Sequence, residues 1–298
     1  MNNNLAADMG APSLGSRWAA AARKVAFFVV LLAAYIAAQL GRIWPIRHAP
    51  PGGVDWVSLG TSLLFAAALL GLYIGLVRSL ERRVSPRELA PAPVLAVGGI
   101  ILGLALFSSV FGLLHVIGVA RWLGMSAHFD VIPMLAAAIL AAVGEELAFR
   151  GGLFRLLEER LGTAIALAIS AALFGLLHAL NTGATIISTV SIALEAGVLL
   201  GAAYALTRNL WFPIGLHLGW NFTEGGIFGV AVSGGHVTNG VFSVSLVGRT
   251  LLTGGAFGPE ASIVATAVSL ALAVVFLVLT VRRGRWLPMP RRTVRSAA

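Results

Sequence analysis

The chain has 298 residues, of which 58% are hydrophobic and only 11% charged, and its mean hydropathy is +0.91. A soluble domain holds about 45–50% apolar and about 25% charged residues, so a globular soluble fold is excluded and a polytopic membrane protein is indicated. The net charge of +9 does not make a nucleic-acid binder, because the basic residues flank apolar spans, where they set topology and meet anionic headgroups; the lack of cysteine excludes disulfides, Cys-ligated zinc and a thiol nucleophile.

In chain order, a polar, small-residue N-terminus leads to Arg17, Arg23 and Lys24 and then to an apolar run from Val25 to Leu40. That run reads as an uncleaved anchor rather than a signal peptide, because further spans already commit the chain to the membrane. Span 2 is expected at about 57–77 and span 3 at about 94–120, joined by a loop with Arg78, Arg82, Arg83 and Arg87. Span 4 begins near Val131, and its helix pattern runs on into Arg155, Glu158, Glu159 and Arg160, a charged end expected to emerge into water. Spans 5, 6 and 7 follow at about 163–180, 184–206 and 211–230; a Gly/Ser-rich loop then precedes span 8 at about 261–281.

The expected fold is therefore all-α: about eight transmembrane helices with a polar cavity among spans 4 to 7. Its divisions are a disordered cytoplasmic N-terminus (1–24), three N-terminal spans (25–130), a core (131–230), a Gly-rich loop with the last span (231–281) and a basic cytoplasmic tail (282–298). Arg and Lys concentrate on alternate loops, which puts both termini in the cytoplasm by the positive-inside rule.

The core centres on Glu145, Glu146 and Arg150 inside an apolar helical run. An ionisable group at membrane depth costs about 3 kcal/mol on insertion scales, so such groups persist only if paired, wet or needed. Glu146 and Arg150 lie four apart and share a helix face, whereas Glu145 is turned by about 100°. The simplest division has Arg150 hold Glu146 while Glu145 faces a cavity. His178, His217 and Asn221 lie in later spans, the last two on one face. If spans 4 and 5 form a hairpin with its tip near Leu161, Glu145 and His178 stand at nearly equal height, about 24–26 Å along their helices from the tip. His217 reaches the same level from the turn before span 7.

Two imidazoles, a carboxylate and an amide can hold a divalent metal with an open position, or hold a water directly. A second carboxylate can then take a proton, so the set supports hydrolysis. The bland readings are a structural ion pair between Glu146 and Arg150, a packing histidine at 178, and interhelical hydrogen bonding by His217 and Asn221, worth about 0.6–2 kcal/mol. Glu145 resists such a reading, because it needs a partner of its own. His115 reads as packing or pore-facing, Glu195 either lines the cavity or pairs with Arg208, and Glu260 sits near the N-terminus of span 8, where the helix dipole favours a carboxylate.

Glu145-Glu146-x-x-x-Arg150, Phe174-x-x-x-His178 and His217-x-x-x-Asn221, in this order on hydrophobic helices, resemble the CPBP family, the CAAX-prenyl-protease and bacteriocin-processing (Abi) group of intramembrane proteases. The resemblance covers about 131–228, and the stretch 253–260 looks like a loop of bacterial members. It implies an eight-helix fold with a cavity open to the cytoplasm and a peptide or protein substrate met among membrane lipids; the Ala/Gly/Arg-rich composition points to a bacterial cytoplasmic membrane. It also implies Glu145 as the base that activates water, with His178, His217 and Asn221 around the water or around a zinc ion that Glu145 would share, and Glu146 and Arg150 completing the site. The rival expectation is a non-enzymatic protein on the same scaffold: an immunity factor, a chaperone-like partner or a carrier.

Overall fold

The computed structural model describes residues 14–50, 52–236 and 239–290. Residues 1–13 and 291–298, the outer parts of the expected N-terminal arm and basic tail, lie outside the described residues. In chain order the elements are α1 (Leu14–Gly41), α2 (Ile43–Arg47), α3 (Val54–Leu80), α4 (Pro93–Val116), β1 (Ala120–Met125), α5 (Val131–Glu146), α6 (Arg155–His178), α7 (Ile186–Ile192), α8 (Leu199–Thr207), α9 (Trp211–Asn221), β2 (Phe242–Leu246), α10 (Thr250–Thr253) and α11 (Ile263–Arg282). Widened π turns at Leu147–Phe154 and Ala193–Val198 join α5 to α6 and α7 to α8, and a third at Phe222–Ile227 extends α9.

The architecture is the all-α membrane fold expected from composition. Among the described residues, six stretches are long and apolar enough to cross a membrane, rather than the eight expected: Ala21–Arg47, Val54–Leu80, Pro93–Val116, Val131–His178, Ile186–Thr207 and Ile263–Arg282. Part of the difference is a merger. Val131–His178 holds expected spans 4 and 5 and reverses at Gly162, whose φ of 76° and ψ of 168° break the helix. The expected span 7 is α9 with its π turn, which stops at Ile227 and is too short to qualify. Two further expectations shift. Helix α1 starts at Leu14, inside the arm expected to be disordered, because the alanine-rich run before Lys24 favours helix. The stretch 120–125, expected to end span 3 and enter a loop, pairs antiparallel with β2 as a two-stranded ribbon.

Gly162 also fixes the hairpin tip. A side chain there would meet Leu287 O at 2.9 Å and Met289 N at 2.8 Å. The tail segment lies against the tip, with Thr163 N–H donating to Leu287 O at 2.9 Å and Leu287 N–H donating to Thr163 Oγ1 at 2.9 Å.

Helices α4 and α9 make the closest helix contact, and both carry glycines four apart. A Cβ on Gly99 or Gly103 would lie 2.4 Å from Phe212 O or 2.2 Å from Leu216 O. One on Gly215 or Gly219 would lie 2.3 Å from Ala96 O or 2.3 Å from Ile100 O. Such small-residue seams let backbones touch where lipid supplies no hydrophobic drive. The seam sets the position of α9, and with it His217 and Asn221.

Buried apolar side chains form two clusters. One gathers Phe27, Leu31, Tyr73, Leu147, Phe149 and Phe174; the other gathers Phe107, Phe111, Leu114, Leu199, Leu216 and Trp220.

The charged end of span 4 is not free in water as expected. Glu158 is buried, with both oxygens held by Arg208 and one by Thr163 Oγ1 at 2.5 Å. Lys24 pairs with Glu159, and Arg155 with Glu81. Arg83 donates to Glu88 at 2.9 and 2.7 Å, and Tyr73 adds a hydroxyl at 2.5 Å. Burial alone would raise the Glu88 carboxyl, but the hydrogen bonds from Arg83 and the charge of Arg155 outweigh it and hold Glu88 at about 2. This network ties α1, α3, the loop before α4, α6 and α8 together.

Candidate active site

The site is assembled from α1, α5, the first π turn, α6 and α9. Glu145 and Glu146 end α5, and Arg150 lies one turn on in the π segment. Glu146 and Arg150 are fully buried. Arg150 Nη1 donates to Glu146 Oε1 at 2.8 Å, and Nη2 donates to the carbonyls of Ala196 at 2.9 Å and Gly197 at 3.2 Å. Those carbonyls belong to the second π turn, whose widened geometry frees backbone acceptors. Phe174 covers the guanidinium, with Cζ 4.7 Å from the ring centroid. The expected division thus holds: Arg150 fixes Glu146, and Glu145 points elsewhere.

Glu145 Oε1 accepts a hydrogen bond from Tyr35 Oη at 2.7 Å, and Gln39 Nε2 donates to the same hydroxyl at 2.8 Å. Glu145 Oε2 is buried with no hydrogen-bond partner. Opposite it stand His178 Nε2 at 4.0 Å and His217 Nε2 at 3.9 Å. Residues far apart in sequence therefore meet at one level, as the hairpin geometry requires.

The imidazole tautomers follow from the other ring nitrogens. His178 Nδ1 lies 2.8 Å from Phe174 O, which can only accept, so Nδ1 carries the hydrogen. His217 Nδ1 lies 3.1 Å from Glu146 Oε1, again an acceptor. In the neutral rings both Nε2 atoms then present lone pairs toward Glu145 Oε2. Three acceptors face one another across gaps too long for a direct bond. A water about 2.8 Å from two atoms 3.9–4.0 Å apart subtends about 90°, so a hydrogen-bonding water fits. A zinc ion about 2.1 Å from each would subtend about 140°, well beyond a tetrahedral angle. The donor chemistry suits a divalent metal, but the spacing suits water, and among the described residues no three His, Asp or Glu side chains are gathered tightly enough for an ion.

Asn221 lines a cleft together with His178 and His217, and so do Phe174, Trp220, Ser233, Glu195 and Glu260. The free volume is about 20 Å³, room for about one water. Glu145, Glu146 and Arg150 stand behind this wall and not in it. The structure thus links five of the six expected residues directly, Glu145, Glu146, Arg150, His178 and His217, and brings Asn221 in through the cleft.

The structure decides one open alternative: Arg208 is taken by Glu158, and Glu195 lines the cleft. Glu260 does sit close before α11, in the tight turn Pro259–Ala261, but it is buried and faces the cleft, while Ser262 caps the helix. Burial pushes the Glu260 carboxyl above its usual range. His115 packs near β1, its Nδ1 2.9 Å from Ala120 O. Sequence reasoning missed Tyr35 and Gln39, two polar residues four apart on one face of span 1, a spacing that was the available signal.

Residues 126–223 match the family model described as type II CAAX prenyl endopeptidase Rce1-like. The matched segment, about a third of the chain, is similar to the CPBP family. All six expected residues fall within it, and Tyr35 and Glu260 fall outside. Neither the search of curated proteins nor that of solved structures returned a match. At family level the segment is that of a CAAX-type intramembrane protease, set in an integral membrane protein.

Proposed function

We propose that this chain is a membrane-embedded endopeptidase that hydrolyses a peptide bond with a water activated by Glu145. The observation that carries this reading is the unpartnered Glu145 Oε2 facing two imidazole lone pairs at 3.9 and 4.0 Å. A water there gives one hydrogen to Glu145 and one to an imidazole. Glu145 takes the first proton as the water oxygen bonds to the substrate carbonyl carbon, and the Asn221 amide donates to the oxygen on which charge develops. The C–N bond then breaks and the proton passes from Glu145 to the leaving amine. Tyr35 orients the base through Oε1, and Arg150 holds Glu146, which fixes the His217 ring. The same three atoms, Glu145 Oε2, His178 Nε2 and His217 Nε2, with Asn221 beside them, are those that would take a zinc ion after closing in; bound there, it would polarise the carbonyl and acidify the water.

The substrate class is a peptide or protein segment at the membrane, a leader or a membrane-associated peptide. The bias of Arg and Lys to alternate loops supports a reading with both termini on the cytoplasmic side, in what we take to be a bacterial membrane. The test is cleavage of a peptide library by protein in proteoliposomes. Glu145→Gln keeps shape and removes basicity, and lowers the rate by about 10²–10⁴-fold; His217→Ala lowers it as well, at matched folded amounts. Loss on chelation with recovery on added zinc would assign the metal. Cleavage that survives both substitutions would overturn the site assignment, and a cellular role that survives Glu145→Gln would favour a binding-only protein.

A further inference from the structure

Beyond Glu145 and Glu146, the polar interior holds three more carboxylates. Glu195 lies in the second π turn, Glu224 in the third and Glu260 in the turn before α11, and all three are buried. Two of them have donors: Glu260 Oε1 accepts Ser233 N–H at 2.7 Å, and Glu224 accepts Glu260 N–H at 3.2 Å and Trp220 Nε1–H at 3.2 Å. Glu195 is different. It is 3% exposed, it lines the cleft, and its Oε2 has no hydrogen-bond partner.

The nearby cations are already engaged. Arg150 serves Glu146 and two carbonyls, and Arg208 serves Glu158 and Arg285 O. No lysine or arginine is in the cleft wall. The one cation whose charge reaches Glu195, Arg150, is already bound to Glu146 and two carbonyls, and an acidic end so weakly compensated inside apolar helices is costly. The same cleft is lined by the apolar side chains of Phe174, Ile192, Leu199, Leu200 and Leu216. A long apolar stem tipped by a positive charge matches such a surface, as lysine and arginine side chains do.

The geometry points to the Glu195 end of this cleft, backed by Glu260, as a subsite for a basic side chain of the peptide substrate. The inference rests on the hydrolase reading for the word substrate, but the cationic subsite itself does not require turnover. The cleft holds only about one water as it stands, so it must widen to admit a peptide; the basic side chain then lies along the apolar side chains with its charge at Glu195, while the peptide carbonyl lies toward His178 and His217.

Two measurements test it. The first uses otherwise identical peptides that carry lysine or the neutral, similarly shaped norleucine at each position in turn. Binding is followed by fluorescence anisotropy on Glu145→Gln protein in nanodiscs, which needs no hydrolysis. At one position lysine binds about tenfold tighter or more, equivalent to about 1.4 kcal/mol. Adding Glu195→Gln brings the ratio to about one, and Glu195→Asp, which keeps the charge, retains a preference. No position with a preference, or a preference that survives Glu195→Gln, overturns the subsite. The second measurement is the kcat/KM ratio for the same peptide pairs with Glu145 intact; it follows the binding ratio if the bound peptide is the one cleaved. A binding preference with no cleavage of any peptide would break the hydrolase reading and leave the subsite standing.

Discussion

Two regions of this molecule hold buried charge, and they hold it differently. Where the ends of α3 and α6 meet, both oxygens of Glu81, Glu88 and Glu158 accept hydrogen bonds from arginine. In the cleft region, Glu145, Glu146 and Glu195 each keep one buried oxygen without a partner. An unpaired acceptor among apolar helices is costly, and the first region shows that this chain can pair its carboxylates. Closed pairs hold the fold; open acceptors await a water, a proton or a ligand.

The contrast is tested most sharply by one substitution in each region. Arg155→Met removes one of the two arginines on Glu81 and Glu88, leaves Arg83 in place, and lowers stability by about 1.5–3 kcal/mol, the scale of a lost charge-assisted hydrogen bond. Glu145→Gln leaves the unfolding midpoint in detergent unchanged or raised, while cleavage collapses. A larger stability loss from Glu145→Gln than from Arg155→Met would reverse the comparison. Tyr35→Phe comes next: it removes the donor to Glu145 Oε1, costs about 1 kcal/mol, and lowers kcat/KM by about tenfold with little change in unfolding. Loss of stability with kcat/KM unchanged would make Tyr35 a packing residue.

Acid sharpens the network side. Glu88 is held at about 2, below its ordinary 4.5, so its stabilising contribution is fully present above about 4.5 and is lost as pH falls through about 2. Wild type therefore loses stability across that window, and Glu88→Gln loses less; identical slopes would remove Glu88 from the account. The smallest effect is at the rim. Lys24 and Glu159 are partly exposed, so Lys24→Met shifts stability by no more than about 1 kcal/mol.

The sequence carries the six core residues through their spacing, because residues four apart share a helix face and the 4–5 hairpin equalises height. It carries the fold class through composition. What it hides depends on contacts made far along the chain. Tyr35 meets Glu145 across 110 positions; Gln39 four residues on marks a polar face of α1, but nothing local names its partner. The π turns have no periodic signature, so the carbonyls of Ala196 and Gly197 that hold Arg150 could not be foreseen. The ribbon at 120–125 is too short for its alternation to stand out beside an apolar helix. The seam between α4 and α9 also went unread, although Gly99-x-x-x-Gly103 and Gly215-x-x-x-Gly219 carry a close-approach pattern.

That seam has a mechanical consequence. At its four glycines backbone meets backbone, and beyond them Phe107 packs edge-on against Trp220, so α4 and α9 are expected to move as one body. His217 and Asn221 ride on it, which makes this side of the cleft the fixed jaw. Any widening that admits a peptide chain falls to the opposite jaw, formed by α7, α8 and the π turn that carries Glu195.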